Sequence, residues 1–122
     1  MKKFMMFVAF AAMCVTANAQ KWAYESNYTE GIACVKDANG KWGHINEQGK
    51  LVGQMWRNVK YFQDGLAPVE TQDEKWGFVD KSEKVVIPFK FKKAYPFEHG
   101  KARVQDEHGN WRKIDKTGKF IE

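Results

Sequence analysis

The chain has 122 residues, with 20 Lys and Arg against 15 Asp and Glu, for a formal net charge of +5. That length suits one domain, and so small an excess falls short of the dense basic footprint of a nucleic-acid binder. Two cysteines, Cys14 and Cys34, exclude a disulfide-stapled scaffold.

The first nineteen residues read differently from the rest. Lys2 and Lys3 form a basic start, Phe4 to Val15 is an apolar run, and Ala17-Asn18-Ala19 is a small-x-small cleavage site before Gln20. This is the pattern of a secretory signal peptide, expected as a helix over 1–19. The run is too short for the roughly 20 residues that span a bilayer. Cys14 follows Met13 rather than the Gly or Ala of a lipoprotein box. The expectation is export, to the periplasm or outside the cell, with cleavage near Ala19/Gln20. The remaining residues 20–122 keep 18 basic and 15 acidic side chains, and Cys34 becomes the one thiol.

From residue 22 onward the chain repeats itself. Lys75-Trp76-Gly77-Phe78-Val79-Asp80 returns as Lys41-Trp42-Gly43-His44-Ile45-Asn46 and as Asn110-Trp111-Arg112-Lys113-Ile114-Asp115. A period near 34 residues marks a repeat architecture. Other positions fall into line: Gly31-Ile32-Ala33 with Gly65-Leu66-Ala67 and Gly100-Lys101-Ala102; Tyr28 with Phe62 and Phe97; Trp22 with Trp56 and Phe91; Gly49 with Glu83 and Gly118. The units are 22–55, 56–90 and 91–122, with one residue inserted within 85–90.

Each unit predicts short strands joined by turns. In the first, Ile32 to Lys36 and Trp42 to Asn46 flank Asp37-Ala38-Asn39-Gly40, and Asn-Gly is a strong hairpin signal. A third extended segment begins at Leu51. Alternation along a strand puts Ala33/Val35, Ala67/Val69 and Ala102/Val104 on one face, expected to be inner. The other face runs Ile32/Cys34, Leu66/Pro68 and Lys101/Arg103. It turns charged in the third unit, as the outer surface of a terminal repeat should. Beside each large ring, Gly43 and Gly77 leave room for a neighbouring ring.

These motifs resemble the WG-repeat (KWG repeat) family of bacterial proteins. Gly40-Lys41-Trp42-Gly43, Lys75-Trp76-Gly77-Phe78-Val79-Asp80 and Lys84-Val85-Val86-Ile87-Pro88 carry the likeness, which covers residues 20–122; the third unit departs from it at Trp111-Arg112. The resemblance implies an all-β domain of three tandem repeats of short antiparallel strands. It supplies no catalytic residues.

The repeat signature Trp42, Gly43, Trp76, Gly77, Asp80 and Trp111 reads as structural, the aromatics as buried area and Asn46, Asp80 and Asp115 as turn acceptors. The aromatics Trp22, Tyr24, Trp56, Tyr61, Phe91 and Tyr95 fall in connecting segments, and Trp22, Tyr24, Trp56, Tyr61 and Tyr95 are the candidate ligand-binding set. They are the type of ring that stacks on sugars or quaternary ammonium groups. Lys90, Lys92, Lys93, Lys101, Arg103, Arg112 and Lys113 concentrate positive charge in and beside the third unit, which suits an acidic partner. His44, His99 and His108 occupy unequal slots and gather no three-ligand set, so no metal and no cofactor is expected. No hydrolase, phosphate-loop or dinucleotide fingerprint is present, and the carboxylates are scattered over turns. The sequence therefore points to a non-enzymatic binding module for a protein or envelope glycan partner, with homo-oligomerisation through an open edge as a possibility.

Overall fold

The computed structural model describes residues 22–121; the expected signal-peptide helix lies outside them. Eleven strands are present among the described residues, and no helix. They form three antiparallel meanders. The first contains β1 (Trp22–Glu25), β2 (Ala33–Asp37), β3 (Trp42–Ile45) and β4 (Leu51–Trp56). The second contains β5 (Asn58–Val59), β6 (Leu66–Glu70), β7 (Trp76–Asp80) and β8 (Val85–Phe91). The third contains β9 (Lys93–Ala94), β10 (Ala102–Gln105) and β11 (Trp111–Ile114). Its fourth strand is reduced to a bridge between Ile114 and Phe120. Trp56 and Phe91 close the fourth strands of the first two sheets, and after one bent residue the chain enters the next sheet.

Two turn types recur in every unit. The first is a tight reversal at 29–32, 63–66 and 98–101. Its central pairs, Glu30-Gly31, Asp64-Gly65 and His99-Gly100, all have positive φ, the twist of a type I′ turn that suits antiparallel strands. The second is an Asx turn. Asp37, Asn46, Asp80, Asp106 and Asp115 each accept two backbone N–H groups through Oδ1, from residues two and four further on. Asn46, Asp80 and Asp115 thus close the turn that follows each signature strand. The Ser82 hydroxyl and then the Lys84 N–H hold Asp80 below the usual carboxylate range, and Thr117 and Lys119 do the same for Asp115.

The sheets pack face on face. Ala67, Val69 and Val79 of the second sheet meet Ile32, Cys34 and Trp56 of the first. Ala102, Val104 and Ile114 of the third meet Leu66, Trp76, Phe78 and Phe91 of the second. A small face therefore rests on a large face at each junction. Phe62 and Phe97, fully buried, set their rings edge-on against His44 and Phe78 of the preceding sheet, at 4.8 and 4.9 Å.

A row of carboxylates ties the type I′ turns together. Glu30 accepts the N–H groups of Asp64 and Gly65, at 2.9 and 3.0 Å. Asp64 in turn accepts the N–H of Gly100 at 2.8 Å. His99, the next in the series, carries no carboxylate to continue it.

The inserted residue is Val86. Ile45 and His44 pair with the adjacent Leu51 and Val52, but Val79 and Phe78 pair with Val85 and Ile87. Val86 bulges out and Ile87 turns into the core, fully buried. Both fourth strands bulge again opposite the signature glycine, which makes the glycines unequal. A Cβ on Gly77 would stand 2.6 Å from the Ile87 carbonyl oxygen and 2.8 Å from the Phe89 ring. On Gly43 it would meet the ends of Met55 and Leu51, at 2.7 and 2.9 Å. Arg112 holds the third slot, where the fourth strand is a single bridge, and its guanidinium lies 3.8 Å from the Phe120 ring centre.

Gly77→Ala should therefore lower unfolding free energy by about 1–3 kcal/mol, the usual range for overpacking. Gly43→Ala should cost less, since flexible side chains can yield where a backbone carbonyl cannot. Equilibrium urea unfolding of the two variants checks the order.

Candidate functional site

The first junction holds a buried charged cluster. His44 is fully buried on β3, its Nδ1 2.9 Å from Glu83 Oε2 and its Nε2 3.0 Å from the Lys60 carbonyl oxygen. The other carboxylate oxygen of Glu83 accepts the Trp56 indole N–H at 3.0 Å. A carboxylate and a carbonyl only accept, so both ring nitrogens donate and the ring is an imidazolium. Burial opposes that charge, but the Cys34 thiol, the Glu83 carboxylate and the Lys60 carbonyl outweigh it and raise the His44 pKa to about 9.

Cys34, His44 and Glu83 have the composition of a nucleophile, base and orienting acid. The geometry gives them another role. With both nitrogens donating, His44 has no lone pair to take a proton from Cys34, and the thiol is buried. His44 and Glu83 are an ion pair that holds two sheets together, with Cys34 buried beside it.

Glu83 reaches the pair at a conformational cost. Its φ is +66°, in the left-handed region, where Gly49 and Gly118 occupy the same slot at +79° and +89°. A non-glycine residue there costs about 1–3 kcal/mol. The side chain crosses Gly53, where a Cβ would stand only 2.2 Å from Glu83 Cγ. The second junction uses the opposite choice. Phe78 takes the place of His44, and Gly118 that of Glu83. Ile87 fills the space above Gly118, 3.1 Å from where its Cβ would be.

Lys60 links all three units. Its carbonyl receives His44, and its ammonium lies 4.5 Å from the Trp76 ring and 4.8 Å from the Tyr95 ring. Burial, and then nearby Lys93, lower its pKa. The clamp fills the place a quaternary ammonium ligand would take between those rings.

The sequence-proposed aromatics do not converge. Trp56 is buried and its N–H is taken by Glu83; Phe91 is buried in the core against Phe120. Trp22 is half-buried against Ala33, Val35 and Ile45. Tyr24 is exposed at the first sheet, edge-on to Trp42 at 5.7 Å. Tyr61 is exposed at the second. Among the signature rings, Trp76 is buried and Trp42 half-buried, but Trp111 is 42% exposed.

Tyr95 leads to an open surface that combines rings with charge. It stacks on Trp111 at 5.8 Å with 18° between planes. The Arg103 guanidinium lies 4.3 Å over Trp111 and 5.7 Å from Tyr95. Beside this stack a cavity of about 550 Å³ is lined by Tyr95, Pro96, Glu98, His99, Lys101, Ala102, Arg103 and Lys113. This is the large face of the third sheet. Its counterparts Ile32, Cys34 and His44, and Leu66, Pro68 and Phe78, are buried, while Lys101, Arg103 and Lys113 are exposed. Cation–π contact and stacking hold Arg103 in place. Among the described residues no group of three His, Cys, Asp or Glu is placed to hold a metal ion.

A family model described as WG containing repeat matches residues 42–76 and 76–111. Each match runs from one signature tryptophan to the next. Each therefore spans a junction, taking the end of one sheet and the first strands of the following one. No curated protein matches the chain.

The His44 ion pair sets a pH dependence. An unfolded imidazole titrates near 6.5 and the folded one near 9. The stabilisation is complete below pH 6.5 and is lost as pH rises through 9, by about 3 kcal/mol in all. Urea unfolding at pH 6 and pH 9.5 should show that loss. Glu83→Gln should be roughly 3 kcal/mol less stable at pH 6 and should flatten the profile. A His44→Phe/Glu83→Gly double variant, which copies two residues of the second junction but leaves Gly53 where that junction has Ile87, should lose the pH dependence.

Proposed function

The chain belongs to the WG-containing repeat family, and from that premise we propose that it is an exported, non-enzymatic binding module that holds an acidic partner on the outer face of its third sheet. The observation carrying this reading is the exposure of Lys101, Arg103 and Lys113 where the two preceding sheets bury apolar or neutralised side chains. A terminal repeat needs polarity there only for solubility. Mixed charge would meet that need, whereas this face carries three cations and His99 against Glu98. Complementary charge of this kind steers and orients an acidic partner.

Export is supported by the basic, apolar and small-residue order of residues 1–19. The absence of a recognisable catalytic motif and the locked state of His44 support a role in binding rather than turnover. The partner class is an acidic protein or an envelope polymer.

Two measurements test this. N-terminal sequencing of the protein recovered outside the cytoplasm should read from Gln20. A Lys101→Glu/Arg103→Glu variant should fold normally and lose at least tenfold in affinity for whatever the unaltered protein captures from an envelope extract. Equal capture by both would remove the third-sheet face from the proposal.

A further inference from the structure

We propose that the groove on the third sheet takes a carboxylate-bearing sugar, such as a residue of a polyuronate chain. This rests on the reading of that face as the binding surface and names the ligand. Three features select the class.

The first is a cation fixed before any ligand arrives. Arg103 is held by Trp111 at 4.3 Å and by Tyr95 at 5.7 Å, so little side-chain freedom is lost on binding. A guanidinium fork matches a carboxylate in two hydrogen bonds. Lys101 and Lys113 line the same cavity and add charge without directional demand.

The second is shape. The surface is a half-open depression of about 550 Å³, which can seat one sugar ring and leave its chain neighbours in solvent. A membrane surface would favour a broad basic plane instead.

The third is Glu98 among the cations. A carboxylate there repels the acidic groups of any ligand, a uronate's included, so an acidic ligand needs a compensating contact with it. It accepts hydrogen bonds from hydroxyl groups, which a sugar offers at several positions. The Tyr95 hydroxyl and His99 extend the set of partners for such hydroxyls. Stacked bases are disfavoured further, because Tyr95 and Trp111 already face each other and Arg103 lies over Trp111. Acidic peptides and uronates share the anion; Glu98 is what separates them.

Titrate the full chain with oligogalacturonate of four residues in 150 mM salt, following the summed fluorescence of its five tryptophans and binding by calorimetry. Saturable binding is expected. The methyl-esterified oligomer, which is neutral, should bind at least tenfold more weakly, as should the acid form with Arg103→Ala or Lys101→Ala. Polyglutamate of matched charge should bind at least tenfold more weakly than the uronate. Glu98→Gln should narrow that gap by strengthening polyglutamate.

No saturable binding of the oligogalacturonate would overturn the sugar assignment. So would polyglutamate binding as tightly as the uronate. If polyglutamate alone binds, and Arg103→Ala abolishes it, the face is an acidic-peptide site and the binding-face reading survives. If neither anion binds, both readings fall.

Discussion

Everything in this protein depends on a small face meeting a large one. A sheet with Ala, Val and Ile or Val in its central strands is flat and shallow, and it can bury the rings and branched chains of the sheet before it. Ala67, Val69 and Val79 do this for Trp56 and Ile32, and Ala102, Val104 and Ile114 do it for Phe78, Phe91 and Leu66. Neither face would be stable alone. The covalent run of a fourth strand into the next sheet at Arg57 and Lys92 brings each pair of faces together by a short connection, and local contacts of that kind need little loop-closure entropy.

On that common plan the two junctions differ in chemistry. One encloses an imidazolium, a carboxylate and an indole N–H, and the other encloses Phe78, Ile87 and Gly118. Buried ion pairs rarely add stability over an apolar core of equal volume. What this one adds is discrimination. A unit with Glu83 satisfies only a neighbour that carries His44 and leaves room at Gly53. A unit with Gly118 suits only a neighbour with Phe78 and Ile87. The order of the units is thus written into side-chain volume and charge, and swapped pairings would strand a charge against a phenyl ring or leave a hole.

Much of the architecture was legible in the sequence. The period, the turn acceptors Asn46, Asp80 and Asp115, the small face and the charged third sheet all follow from residues recurring at fixed spacing. What escaped depends on residues that do not recur. Glu83 and His44 are 39 positions apart, Glu83 is the exception in its slot, and the slot of His44 differs in all three units; the available signal was a glutamate where the other units have glycine, beside a histidine where the others have phenylalanine and lysine. The clasp from Glu30 to Asp64 and on to Gly100 was visible only as an acidic residue before two of three turn glycines. Trp56 read as a connecting-segment ring, because a strand that continues from one sheet to the next gives no break in pattern. The open groove draws on Tyr95, Arg103 and Trp111 in three different slots, a proximity that needs the sheet to be seen.

The clasp also acts as a counter. The second and third turns in the row each receive a carboxylate from behind, and the first two pass their own forward. His99 has none to pass, so a fourth turn placed beyond it would find its amides unmet, and the lysines and arginine nearby would resist an apolar sheet laid over them. An array engineered to grow would need an acid at position 99 as well as an apolar third face, and without both the molecule closes its own series.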